Sequence, residues 1–114
     1  MPKNKINTRR LNEYKNVFGA EKMRFLWQEY LAQSAQNWQN MDNTDWEARR
    51  QIFHNWRSSS KVFGMDGFAL ICQQIEDKIL KRRFDGLDKK IELCRQNYEQ
   101  STGDVGIIFL QMEP

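Results

Sequence analysis

Proline is almost absent from this chain of 114 residues, and its absence constrains the fold more than any other sequence feature. The two prolines, Pro2 and Pro114, lie at the ends of the chain. The residues between them are rich in Gln, Glu, Lys, Arg, Leu and Ala, which are good helix formers. Proline inside a helix costs about 3 kcal/mol or more, so a chain without internal proline can stay helical over most of its length. The sequence therefore predicts an all-α fold.

Apolar residues recur at helical spacing in five successive segments. We predict one helix in each segment, over residues 8–17, 21–39, 45–63, 65–83 and 86–100. The first is a short leading helix that ends near Gly19, and the other four are main helices. Asn43 or Thr44 is expected to cap the second main helix, with Glu47 completing a capping box, and Gly64 to end it. Short connections between the main helices favour an antiparallel up-down four-helix bundle.

The tail after Thr102 differs from the helices in composition. Residues 104–110 are mostly apolar and β-branched, which favours an extended conformation. We expect this tail to pack against the bundle as an extended segment, with a dimer contact as the alternative. The whole chain, residues 1–114, is expected to form one domain and a monomer, with a core bundle over about 20–101 and the tail over 102–114.

Composition argues against several classes of protein. No apolar run approaches the roughly 20 residues of a membrane span, and the basic N-terminus lacks the apolar core of a secretory signal, so we expect a cytoplasmic protein with no membrane contact. The formal net charge of +3 is small for a nucleic-acid binder, although basic clusters occur at 3–10 and 78–83. Cys72 and Cys94 lack metal-ligand spacing and are expected to be reduced core thiols, and we predict no metal site.

His54 is the one histidine in the sequence, and it lies on the polar face of a predicted helix. At 100° per residue the opposite face collects an apolar stripe with two serines: Ile52, Phe53, Trp56, Ser59, Ser60 and Phe63. The face of His54 collects cations and a small hydroxyl residue: Arg50, Arg57, Ser58 and Lys61. This arrangement favours contact with an anion, and a phosphoryl group suits a neutral imidazole nucleophile.

The stretch from Phe53 to Glu76 resembles the histidine-containing phosphotransfer (HPt) domain family. The resemblance combines the residues around the histidine with those of the following helix: His54, Trp56, Arg57, Ser58, Ser59, Ser60, Phe63, Gly64 and Met65, then Phe68, Ala69, Cys72, Ile75 and Glu76. Residue type and spacing agree across two helices and their turn. Three departures from the family pattern matter, since Trp56 replaces Leu, Arg57 replaces Lys and Ser58 replaces Gly, and Met65 in place of Ala is a minor one.

The resemblance implies a phosphorelay carrier rather than a self-sufficient enzyme. In such a relay His54 accepts a phosphoryl group from a receiver-domain aspartyl phosphate and passes it to another receiver. Arg57 would stabilise phosphate charge and Glu76 would orient the imidazole. The expected partners are receiver domains of response regulators or a hybrid sensor histidine kinase, and the expected partner-binding residues are Arg50, Ser58, Lys61 and Phe68. No cofactor is expected in this chain, and the Mg²⁺ that the transfer needs would lie in the receiver.

Other interpretations remain open at this point. The chain could be a helical interaction module that binds and inhibits a sensor kinase or receiver without carrying phosphate, or a small nucleic-acid-binding bundle. The serine run from Ser58 to Ser60 could supply a nucleophile, but without a base and an orienting group such serines are usually packing residues. Three of the tryptophans, Trp27, Trp38 and Trp56, are expected in the core, and Trp46 is expected to be partly exposed.

Overall fold

The computed structural model describes residues 5–112, and these residues fold into five α-helices. In chain order the helices are α1 (Thr8–Phe18), α2 (Ala20–Gln39), α3 (Trp46–Ser59), α4 (Asp66–Leu80) and α5 (Leu87–Gln111). Two short 3₁₀ turns, Met41–Asn43 and Ser60–Phe63, precede and follow α3. The all-α prediction is thus confirmed. Lys3, part of the first basic cluster, and the last two tail residues lie outside the described range.

The predicted helix starts agree closely with the observed ones, because local signals set them. The leading helix begins at Thr8 and ends before Gly19, as predicted. Gly64 follows α3 and its 3₁₀ turn and adopts a left-handed conformation, with φ of 76°. In contrast, α4 ends at Leu80 rather than near Arg83, and Arg82 in the connection takes a positive φ of 55°.

The predicted cap of α3 is wrong by one or two residues. Asp45 is the N-cap, and its carboxylate accepts the backbone N–H of Ala48 at 2.8 Å. Thr44 instead donates its hydroxyl to the carbonyl of Met41 at 2.6 Å, within the preceding turn. No capping box forms, because the carboxylate of Glu47 is engaged by side chains further along α3.

The predicted extended tail is wrong, because α5 continues without a break to Gln111. Its buried stripe continues through Val105 and Phe109, and the Phe109 ring stacks on Trp27 with centroids 5.6 Å apart. The guanidinium of Arg24 on α2 donates to the carbonyls of Phe109 and Met112, which closes the helix end. Packing against α2 therefore overrides the strand preference of the β-branched residues.

One cluster of buried side chains joins all five helices. The aromatic part centres on Trp56, whose ring lies 4.8 Å from that of Trp38 and 5.6 Å from that of Phe68. The three predicted core tryptophans are buried and Trp46 is partly exposed, as expected. α3 packs along α4, and α4 packs along α5. None of the helices described here is long and apolar enough to cross a bilayer.

Candidate functional site

His54 projects from the middle of α3 with 51% of its side chain exposed. Its neighbours Phe53 and Trp56 on the same helix are buried in the core, at 0% and 4% exposure. These two anchors fix the rotation of α3 about its axis, and that rotation turns the face of His54 outward. The exposure predicted from the helical pattern is therefore what the structure shows.

The imidazole of His54 is hydrogen-bonded to Glu76 on α4. The Nδ1 atom of His54 lies 2.9 Å from Oε2 of Glu76, whose side chain is only 4% exposed. A carboxylate accepts hydrogen bonds and has none to donate, so the proton of this bond belongs to Nδ1. With the proton on Nδ1, the Nε2 atom of a neutral ring carries the lone pair. The predicted pairing of His54 with Glu76 is present.

The carboxylate of Glu76 is also bonded to two arginines of α3. Arg57 donates to Oε1 at 3.2 Å, and Arg50 donates to Oε2 at 3.2 Å. A buried carboxylate is costly unless it is paired and hydrogen-bonded, and these donors together with His54 meet that requirement. The network explains why an acidic residue can lie in the interface between α3 and α4.

Arg57 combines this contact with partial exposure. Its side chain is 37% exposed, and one of its five N–H donors is directed at Glu76. The guanidinium therefore lies one turn after His54, on the same face, with donors available to an incoming anion. Its predicted role in stabilising phosphate charge is compatible with this position.

Arg50 is held more firmly than Arg57. The carboxylate of Glu47 accepts two bonds from it, from Nε at 3.0 Å and from Nη2 at 2.8 Å. These hydrogen bonds raise the pKa of Arg50 and lower the pKa of Glu47 relative to their ordinary values. The remaining Nη1 donor is the one that reaches Glu76.

Ser58 and Lys61 line a surface depression beside His54. Both side chains are exposed, and Arg57 together with Arg10 and Tyr14 of α1 completes the lining. α1 is held there by Arg10, which forms a 2.8 Å ion pair with Asp66 at the start of α4. The sequence predicted the cations of α3, but it gave no signal that α1 would form the opposite wall.

Phe68 does not lie on the surface, so its prediction as a partner-binding residue is wrong. Its side chain is 0% exposed, as is that of Phe53, and its ring packs on Trp56 and Tyr98. Phe68 shares the buried stripe of α4 with Cys72 and Ile75, at helical spacing. The exposed apolar side chains of α4 are instead Leu70 and Leu80. Their positions outside that stripe were the signal that could have found them.

The other candidate nucleophiles and ligands have structural partners. Ser60 is buried and hydrogen-bonds the hydroxyl of Tyr30 at 2.6 Å, while Ser58 and Ser59 donate to the carbonyl of Asn55. Both cysteines are buried and unbridged, with sulfur atoms 4.0 Å apart. Within residues 5–112 no group of three or more His, Cys, Asp or Glu side chains could hold a metal ion.

Comparison of the chain with protein-family models, with curated proteins and with solved structures finds no match. The similarity to HPt domains therefore rests on the sequence pattern from Phe53 to Glu76. What the structure shows is a side-chain network that joins His54 to Glu76 across two helices.

Proposed function

We propose that this protein is a phosphorelay carrier that accepts a phosphoryl group on Nε2 of His54 from the aspartyl phosphate of a receiver domain and passes it to a second receiver. One observation carries the proposal. A half-exposed imidazole donates from Nδ1 to a buried carboxylate, which leaves Nε2 as the nucleophilic atom. We also propose that α2 to α5 form the antiparallel four-helix bundle typical of HPt domains.

The chemical step needs little from this chain beyond position and charge. The Nε2 lone pair attacks phosphorus, the bond between phosphorus and the aspartyl oxygen breaks, and the receiver carboxylate leaves as an anion. The ring keeps its Nδ1 proton and becomes positively charged as the new N–P bond forms. The carboxylate of Glu76, 2.9 Å from Nδ1, stabilises that charge. Onward transfer reverses the step with the second receiver's carboxylate as the attacking group.

Charge around His54 supports the binding of an anionic group. Arg57 lies one turn away, and Lys61 lies at the edge of the depression lined by Arg10 and Tyr14. The phosphoryl group brings negative charge to this face, and exposed cations near it favour association. The Mg²⁺ that balances the remaining charge is proposed to lie in the receiver, which makes this chain a carrier rather than an enzyme acting alone.

The test is transfer from a phosphorylated receiver domain to the purified chain, with the modified residue mapped by mass spectrometry. We expect acid-labile, alkali-stable phosphate on His54. The His54→Gln variant is expected to accept none and to keep its helical circular dichroism, because the side chain projects from the surface of α3.

A control separates failure of docking from failure of chemistry. Phosphoramidate, a small phosphoryl donor, can reach an exposed imidazole without a protein interface. Label on His54 from phosphoramidate but from none of several receivers would favour the alternative of an interaction module that binds a kinase or receiver without carrying phosphate. No label from either donor, on a folded protein, would refute the proposed function.

A further inference from the structure

Four side chains on one face of α3 form a continuous hydrogen-bonded network with Glu76 of α4. Glu47, Arg50, His54 and Arg57 follow one another at intervals of three, four and three residues, which places them in a row along the helix. The last three of the row donate to the same carboxylate, that of Glu76. The first orients Arg50 through two hydrogen bonds.

Arg50 shares an acceptor atom with the histidine. Its Nη1 lies 3.2 Å from Oε2 of Glu76, the oxygen that accepts the proton of His54 Nδ1 at 2.9 Å. The other oxygen, Oε1, accepts from Arg57. The terminal torsion of a glutamate is soft, so the plane of its carboxylate is set by such donors. Arg50 and Arg57, which precede and follow His54 in the row, therefore fix the plane of the carboxylate together.

The exposure of Arg50 fits this role better than contact with a partner. Its side chain is 21% exposed, compared with 37% for Arg57 and 51% for His54. Two of its three nitrogen atoms are bonded to Glu47 and the third to Glu76. Three of its five N–H donors are therefore directed at carboxylates of this chain, whereas one donor of Arg57 is directed at Glu76.

We propose that Arg50 is a positioning residue that acts on His54 through Glu76, and that Glu47 supports it by holding the guanidinium in place. This inference rests on the proposed function for its consequence in phosphoryl transfer. The structural part, control of the imidazole tautomer, stands without it. Without Arg50 the carboxylate turns toward Arg57, the bond to Nδ1 weakens, and the ring can place its proton on Nε2, where it blocks the nucleophilic lone pair.

The experiment uses the full chain and the imidazole nitrogen resonances of its single histidine, which report the tautomer directly. The variants are Arg50→Gln, Arg50→Lys and Glu47→Gln. The matched control is Lys61→Gln, which removes one exposed positive charge on the other side of His54. Lys61 is not among the donors to Glu76 within residues 5–112. Circular dichroism confirms that each variant is folded.

We expect the wild type and Lys61→Gln to carry the proton on Nδ1, and Arg50→Gln to show a mixture of the two tautomers. Glu47→Gln should shift the mixture in the same direction by less, because Arg50 keeps its charge but loses its support. Arg50→Lys should recover part of the wild-type signal. Phosphorylation of Arg50→Gln by phosphoramidate should slow in proportion to the loss of the Nδ1–H tautomer, about twofold for an equal mixture, while the KM for a phosphorylated receiver stays unchanged.

An unchanged tautomer in both Arg50→Gln and Glu47→Gln would overturn the inference. So would a raised KM for the receiver with an unchanged phosphoramidate rate, which is the signature of a partner-binding residue. A tautomer shift in Arg50→Gln within a chain that no donor phosphorylates would support the positioning role and refute the phosphorelay function. The two proposals can thus fail separately.

Discussion

Substitution of Gly64 by alanine tests how α1 is held against the turn that follows the site helix. Gly64 has a φ of 76°, and its carbonyl accepts the backbone N–H of Asn7 at 2.8 Å. A Cβ atom at Gly64 would lie 2.5 Å from the carbonyl oxygen of Asn7 and 3.0 Å from Cγ2 of Ile6. The first of these contacts is with backbone, so rotation of a side chain cannot relieve it.

The cost of Gly64→Ala has two parts. The left-handed conformation costs a residue with a side chain about 1–2 kcal/mol. The start of α1 must also move away, which sacrifices the bond from Asn7 to Gly64, worth about 1 kcal/mol. The expected loss in the free energy of unfolding is therefore about 2–3 kcal/mol. Gly86 is the matched control, since its φ is 72° and no atom lies within 4 Å of its Cβ position. Gly86→Ala should incur the conformational part alone.

Urea denaturation followed by far-UV circular dichroism measures both variants against the wild type. Gly64→Ala should be the less stable of the two by about 1 kcal/mol, and its Tm should fall by about 10 °C or more below that of the wild type. Equal losses of unfolding free energy in the two variants would refute the reasoning. They would mean that the backbone at Asn7 can move away from the new Cβ atom at residue 64 without loss of stability.

Burial leads to three further predictions. Phe68→Ala should lower the free energy of unfolding by about 3–5 kcal/mol, because the side chain is fully buried. Leu70→Ala, on the exposed face of α4, should change it by about 0.5 kcal/mol or less. A Phe68→Ala variant of full stability would contradict the observed packing. The pKa of the Cys72 thiol is raised, mainly by burial and secondly by its hydrogen bond with Cys94. Both cysteines are buried, so they should resist iodoacetamide until the chain unfolds. Rapid alkylation of the folded protein would contradict this. Because the folded state holds the thiol proton more tightly, the free energy of unfolding should fall as pH rises above about 8.5.

The candidate site was predicted from the sequence to the extent that it lies on one helix. The helical period places His54, Arg57, Ser58 and Lys61 on the face opposite Trp56, and the structure agrees, because burial of the apolar stripe fixes the rotation of α3. The pairing with Glu76 came from the resemblance to HPt domains, since no property of α3 alone indicates which residue of α4 faces it.

The predictions that failed depend on contacts between helices. Phe68 was assigned to the surface beside His54, but its stripe on α4 faces the aromatic cluster and its side chain is fully buried. Arg50, which shares the face of His54, was predicted to bind a partner, and this stays a prediction. Its guanidinium is engaged by Glu47 and Glu76, and the second of these lies on another helix.

The sequence by itself determined the helical class, the beginning of α1, the end of the α3 segment at Gly64 and the face on which His54 lies. These features depend on propensity, periodicity and glycine conformations, which act over a few residues. The tertiary structure alone decided that α5 extends through Val105 and Phe109, that α1 forms one wall of the depression beside His54, and that Arg50 shares an oxygen of Glu76 with the imidazole. The physical reason is the same in each case, because side chains far apart in the chain meet only when the helices pack, and the free energy of that packing outweighs the local preferences.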